Sequence, residues 1–177
     1  MSDPFFQRYR VEDKASLGQR IDILRARLAT AIKAGDAAET MRLENQLGFD
    51  LTPLDREAEA AAHLETALGL ARRLADKPLE IEILLNLGTA RQYLGERDVA
   101  QELFRTALTK SSEYNLHDQD DFLLHHQGRC YVEQGDLAAA RRCFEQALEL
   151  RRKIGKPRFI DSTQRALAAL DEMEHAP

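Results

Sequence analysis

The stretch Ile83 to Leu108, ILLNLGTARQYLGERDVAQELFRTAL, decides how this chain folds. Leu84, Leu87, Gly88 and Arg91 recur at intervals of three, four and seven residues, and so do Ala100, Leu103, Phe104, Ala107 and Leu108. That spacing puts side chains on one face of a helix, whereas a strand would alternate at every second residue. Gly95 stands between the two stripes and can take the left-handed conformation that ends a helix. Glu96 and Asp98 then place negative charge where the next helix's free amides point. The spacing predicts two helices folded back on each other.

Shifting the chain against itself by forty positions recovers the pattern as LGFDLTPLDREAEAAAHLETAL upstream and QGRCYVEQGDLAAARRCFEQAL downstream. Gly48, Gly88 and Gly128 share a column, as do Ala60, Ala100 and Ala140, then Leu64, Phe104 and Phe144, and then Ala67, Ala107 and Ala147. In a repeat array each hairpin buries its apolar face by stacking on its neighbours. The expected architecture is all-α and forms a single domain. Hairpins are expected at 36–76, 77–116 and 117–156, between a leading half-repeat at 1–35 and a closing helix at 157–177.

The motif L-G followed by A-x-x-x-F-x-x-A-L, carried by Leu87, Gly88, Gly95, Ala100, Phe104, Ala107 and Leu108, resembles a tetratricopeptide repeat. The period exceeds the usual ~34 residues, which makes it similar to the extended repeats of kinesin light chain and of bacterial peptide-sensing regulators. The resemblance implies a right-handed solenoid and a non-catalytic adaptor or scaffold, with a protein or peptide partner held in a concave groove lined by each hairpin's first helix. Helical angle then selects Arg42, Asn45 and Phe49, followed by Glu82, Leu85, Asn86, Thr89 and Tyr93, and finally Phe122, His125, His126, Arg129 and Glu133. With Leu85, Tyr93 and Phe122 expected at the surface beside Asn86 and Arg129, this mixed chemistry suggests a peptide site. Asn86 matches an asparagine that kinesin light chain repeats often carry, which implies an amide bonding the backbone of an extended peptide. A carboxylate clamp of the chaperone-binding kind is not expected. Asn45, Phe49, Phe122 and His126 occupy positions where that clamp would want lysine, asparagine or arginine, and only Asn86 fits.

At 177 residues the chain should bury roughly 70% of its unfolded surface without disulfide staples. A net charge of -5 argues against a nucleic-acid partner. No apolar run approaches the ~18 residues of a membrane helix, and the polar start MSDPFFQRYR does not read as a signal peptide. A cytoplasmic protein without membrane contact is expected. Cys130 and Cys143 make no disulfide framework and read as small buried hydrophobes. His126 and Cys130 are four residues apart on one helix, but no motif supplies further ligands, so neither metal nor cofactor is expected. The nucleotide-binding, hydrolase and metalloprotease motifs G-x-G-x-x-G, G-x-x-x-x-G-K-[ST], G-x-S-x-G and H-E-x-x-H are absent, so the chain is not expected to be an enzyme.

Local signals complete the expectation. Ser2 or Asp3 caps a short first helix bearing Pro4, Phe5, Phe6 and Tyr9, whose aromatics either cover the open end of the array or make a homodimer contact. The second alternative describes a self-associating structural or regulatory module. Leu17, Ile21, Leu24, Leu28 and Ile32 form one stripe from Asp13 to Ala34, which Gly35 ends. Thr52 and Pro53 should start a helix running from about Leu54 to Ala75, in which Ala60, Ala61, Ala62 and Ala67 permit close packing. Asp55 replaces the turn glycine of this first full hairpin, so its turn should differ from the other two. Asp118 should cap the helix containing Phe122, and Ile160, Leu167, Ala168 and Leu170 should face inward from the last helix. The basic stretch Arg141 to Arg165 has two readings. Either Arg151, Arg152 and Lys153 complement their helix's negative end, or the stretch docks an acidic partner.

Overall fold

The structure, a computed structural model, describes residues 6–175. Ser2, Asp3, Pro4 and Phe5 lie outside the described residues. The described residues form eight α-helices and no strand: α1 (Lys14–Ala34), α2 (Ala37–Leu51), α3 (Glu57–Leu74), α4 (Lys77–Tyr93), α5 (Arg97–Tyr114), α6 (Asp120–Gln134), α7 (Leu137–Ile154) and α8 (Pro157–Glu174). They group into two compact units, Tyr9–Leu103 and Phe104–Pro177 with Met1–Arg8.

Aspartates start many of the helices. Asp13, Asp36, Asp76 and Asp136 accept from the backbone N–H of Ser16, Glu39, Leu79 and Ala139, respectively. Each such cap satisfies an orphaned amide and contributes about 1 kcal/mol. Gly95 and Gly135 end α4 and α6 at φ 83° and 84°. Asp55 occupies the corresponding left-handed position itself, at φ 61°. The first hairpin's turn does differ, because Thr52–Leu54 forms a single 3-10 turn before α3. Thr52 does not cap α3, which begins at Glu57 rather than near Leu54. Its hydroxyl donates back to the Gly48 carbonyl at 2.8 Å and so prolongs α2.

In the first unit α1 packs on α2, α2 on α3, and α3 on α4. Leu17, Ile21, Leu24 and Leu28 are buried as expected. Ile32, however, is 58% exposed and Ala31 takes the inward position, because the stripe drifts around the helix over its last turn. Ala60, Ala61 and Ala67 are buried and Ala62 is exposed. Gly48 explains its column: a side chain there would press straight into Leu64, which is wholly buried.

In the second unit α6, α7 and α8 pack in sequence. Phe144 lies wholly buried under Gly128, where an added Cβ would come within 2.8 Å of the ring. Val132, Ala140, Ala166 and Leu170 complete this core. Leu167 and Leu170 pack inward as expected, whereas Ala168 faces solvent and Ala166 faces the core. α6 starts at Asp120 behind Gln119, which makes no side-chain cap, so Asp118 does not have its expected role. Phe6–Tyr9 is turn and irregular chain rather than helix, with Gln7 at φ 48°.

Candidate functional site

Linked side chains bridge α2 and α4. Asn45 donates from Nδ2 to Glu82 at 2.8 Å, and Asn86 donates from Nδ2 to the Asn45 carbonyl oxygen at 3.0 Å. Asn45 is buried and Asn86 is half-buried. These two bonds fix the Asn86 amide and leave its own carbonyl oxygen without a donor among the described residues. Beside these side chains Phe49 is 54% exposed, and the Arg42 side chain is 61% exposed with only a loose approach to Glu39 at 3.9 Å. Thr89 is half-buried, and its hydroxyl bonds back to the Leu85 carbonyl at 2.9 Å.

Two residues expected at the surface of this face are not there. Leu85 and Tyr93 are 7% and 6% exposed, because α4 is enclosed on more than one side and ten of its residues are buried. The Tyr93 hydroxyl accepts from the Tyr9 backbone N–H at 3.3 Å, although Tyr9 itself is 58% exposed.

On α6 the expected groove residues turn to internal partners. Arg151, near the end of α7, is only 2% exposed and donates from Nε to Asp121 at 2.9 Å. Its Nη1 reaches the Thr163 hydroxyl and, at 3.1 Å, the Phe159 carbonyl of α8, with His125 Nδ1 at 3.3 Å. The Phe122 and Phe159 rings meet edge to face at 4.9 Å and both lie against the guanidinium, 5.2 and 5.4 Å away. Phe122 is half-buried, while His125 and Arg129 are buried at 8% and 3% exposure. Arg151 therefore joins three helices and belongs neither to a docking patch nor to a solvated helix end. Arg141 is also engaged, with Asp171 and Glu174 at 2.6 and 2.8 Å. Asp121 sits in the first turn of α6, where an acidic residue is commonplace and gives no sign of its pairing. A buried charge with a partner thirty residues away leaves no local spacing to detect.

Burial, with Arg151, His126 and Arg129 nearby, holds His125 well below the usual imidazole range. Burial, Arg129 and Arg151 do the same for His126. In the unfolded chain both rings titrate near ~6.5, so below that pH the unfolded state binds the extra protons. Stability should be intact above pH ~6.5 and fall as pH drops below it. Urea midpoints are expected to be lower at pH 5.5 than at pH 7.5, with the difference shrinking in a His125→Gln, His126→Gln variant. Cys143 is a buried thiol pushed up to about 11, chiefly by burial, which suits an inert packing residue. Among the described residues no three histidines, cysteines or acids gather around His126 and Cys130 as a metal site. No described helix is long and apolar enough to cross a membrane.

Residues 39–113 and 122–154 match the sequence profiles of the tetratricopeptide repeat. No curated protein gives a significant sequence match. Among solved structures, the TPR domain of Arabidopsis FLU superimposes with a TM-score of 0.61 at 20% identity, covering 64% of this chain and 95% of that one. A Podosopora anserina protein described as a putative kinesin light chain with nearly identical TPR-like repeats gives 0.64 at 14% identity, covering 91% and 90%. A point variant of that same protein gives 0.65 at 13% identity, covering 91% and 89%. These likenesses establish an all-α stack of helical hairpins, the fold of a general protein-interaction module. With its glycines packed over buried Leu64 and Phe144, its hairpin order and its matched repeats, the chain belongs to the tetratricopeptide repeat family.

Proposed function

We propose that the chain is a non-catalytic adaptor that holds an extended peptide along the inner faces of α2 and α4. The observation that supports this reading is the oriented Asn86 amide, whose open carbonyl oxygen lies in a row with exposed Phe49 and Arg42. An extended peptide presents backbone N–H groups to such an acceptor, an apolar side chain to the phenylalanine and an acidic group to the arginine. Leu85 and Tyr93 act beneath this surface as its support, and Thr89 lies at its edge. Cys130 and Cys143 are buried thiols not joined in a disulfide, which suits a reducing compartment such as the cytoplasm. Assembly of two copies through the N-terminal aromatics has less support, since Phe6 packs into its own chain.

A displayed library of random peptides should yield binders to the wild-type chain. Those binders should lose at least tenfold in affinity against a variant carrying Arg42→Glu, Phe49→Ala and Asn86→Ala, with the melting temperature nearly unchanged. Failure to select any binder, or binders indifferent to the triple substitution, would reject the α2–α4 assignment.

A further inference from the structure

One residue of the chain already sits on α6 in the manner of a bound peptide. The Phe6 backbone N–H donates to Glu133 Oε1 at 3.0 Å, and its carbonyl accepts from Arg129 Nε at 2.9 Å. Glu133 and Arg129 are one helical turn apart, so an acceptor and a donor on one helix face satisfy both polar groups of a single backbone unit. The Phe6 ring enters the apolar wall formed by Val132, Phe144 and Leu170, with its centroid 6.1 Å from that of Phe144. Two polar contacts to the main chain and one slot for an aromatic side chain make up a recognition site that depends on little else in the sequence.

The connection to this seat is irregular. Gln7 next door adopts φ 48°, a left-handed backbone that costs a non-glycine residue free energy, and the chain from Gln7 to Asp13 forms no regular element. A core residue would ordinarily arrive on a helix that holds it in place. Phe6 arrives on a strained, irregular strap and stays half-exposed.

We propose that the Arg129–Glu133 seat on α6 is a second peptide-binding site, occupied at rest by Phe6 of the same chain and open in trans to an extended segment bearing an aromatic residue. The tethered segment competes at an effective concentration on the order of millimolar, so a free peptide binds only after displacing it. This site is separate from the α2–α4 face and does not depend on it.

The chain contains no tryptophan, so Phe6→Trp introduces a single fluorophore at the seat. In the full-length variant the indole emission should begin blue-shifted. It should move to the red on titration with a synthetic peptide of residues 1–12, and stay unmoved when that peptide carries alanine in place of both phenylalanines. In parallel, the labelled peptide should bind full-length Phe6→Ala at least tenfold more tightly than wild type, and adding Glu133→Ala should remove that gain. Arg42→Glu with Phe49→Ala should leave both readouts unchanged. A peptide that neither shifts the indole emission nor binds Phe6→Ala, while Phe6→Ala only lowers the melting temperature, would make Phe6 an ordinary packing residue and overturn the proposal. Blue-shifted emission found only in a dimer, judged by light scattering, would also overturn it by assigning the seat to a second copy.

Discussion

Asp121→Ala is expected to destabilise the chain by ~3 to 5 kcal/mol, the cost typical of leaving one member of a buried ion pair uncompensated. Asp121 and Arg151 are 1% and 2% exposed, so water cannot take over the missing carboxylate's role. The Thr163 hydroxyl, the Phe159 carbonyl and the two flanking rings would still surround the guanidinium, but none of them carries a full negative charge. The Asp121 Oδ1 atom has no hydrogen-bond partner among the described residues, so the pair is not perfectly satisfied as it stands. Removing both charges should therefore cost far less than removing one. Urea unfolding of Asp121→Leu, Arg151→Met and their combination closes a double-mutant cycle. A double variant as unstable as the sum of the singles would show that the two charges are not coupled.

Phe144→Ala is the second large effect, expected at ~3 to 5 kcal/mol because the ring is wholly buried and its neighbours cannot collapse into the space. Gly128→Ala should cost ~1 to 3 kcal/mol by overpacking, since its new methyl would lie 2.8 Å from the same ring. If the clash is the cause, shrinking the ring should relieve it. The combination of Gly128→Ala with Phe144→Leu is then expected to be more stable than the two separate losses predict, as measured by thermal unfolding. Strict additivity would mean that Gly128 serves its helix for another reason.

The hairpins were legible because their signals are local and repeated. The forty-residue columns of glycine, alanine and a large apolar residue, leucine once and phenylalanine twice, recur three times, and Gly48 over Leu64 and Gly128 over Phe144 show the contacts they encode. The Asp36, Asp76 and Asp136 caps are equally local. The candidate site was less legible. Helical angle identified which residues of α2, α4 and α6 share a face, but it cannot tell an open face from one covered by another part of the chain. Tyr93 and Arg129 sit on the expected face and are buried there. Arg129 lies beneath a residue 123 positions away in sequence, a separation that no spacing rule reaches. The same limit applies to Arg151. Its place in a basic run suggested a helix-end or docking role, whereas its partners come from two other helices.

The Arg151 cluster also determines how the protein tolerates trimming. Because the guanidinium takes two of its acceptors from α8, that helix supplies part of the lining around a charge and does more than shield an apolar flank. A fragment cut at Gly155, which the repeats alone mark as a natural end, would strip away those acceptors together with the Phe159 ring and open Phe122 and the guanidinium to water. A stable second unit therefore extends beyond its last recognisable hairpin.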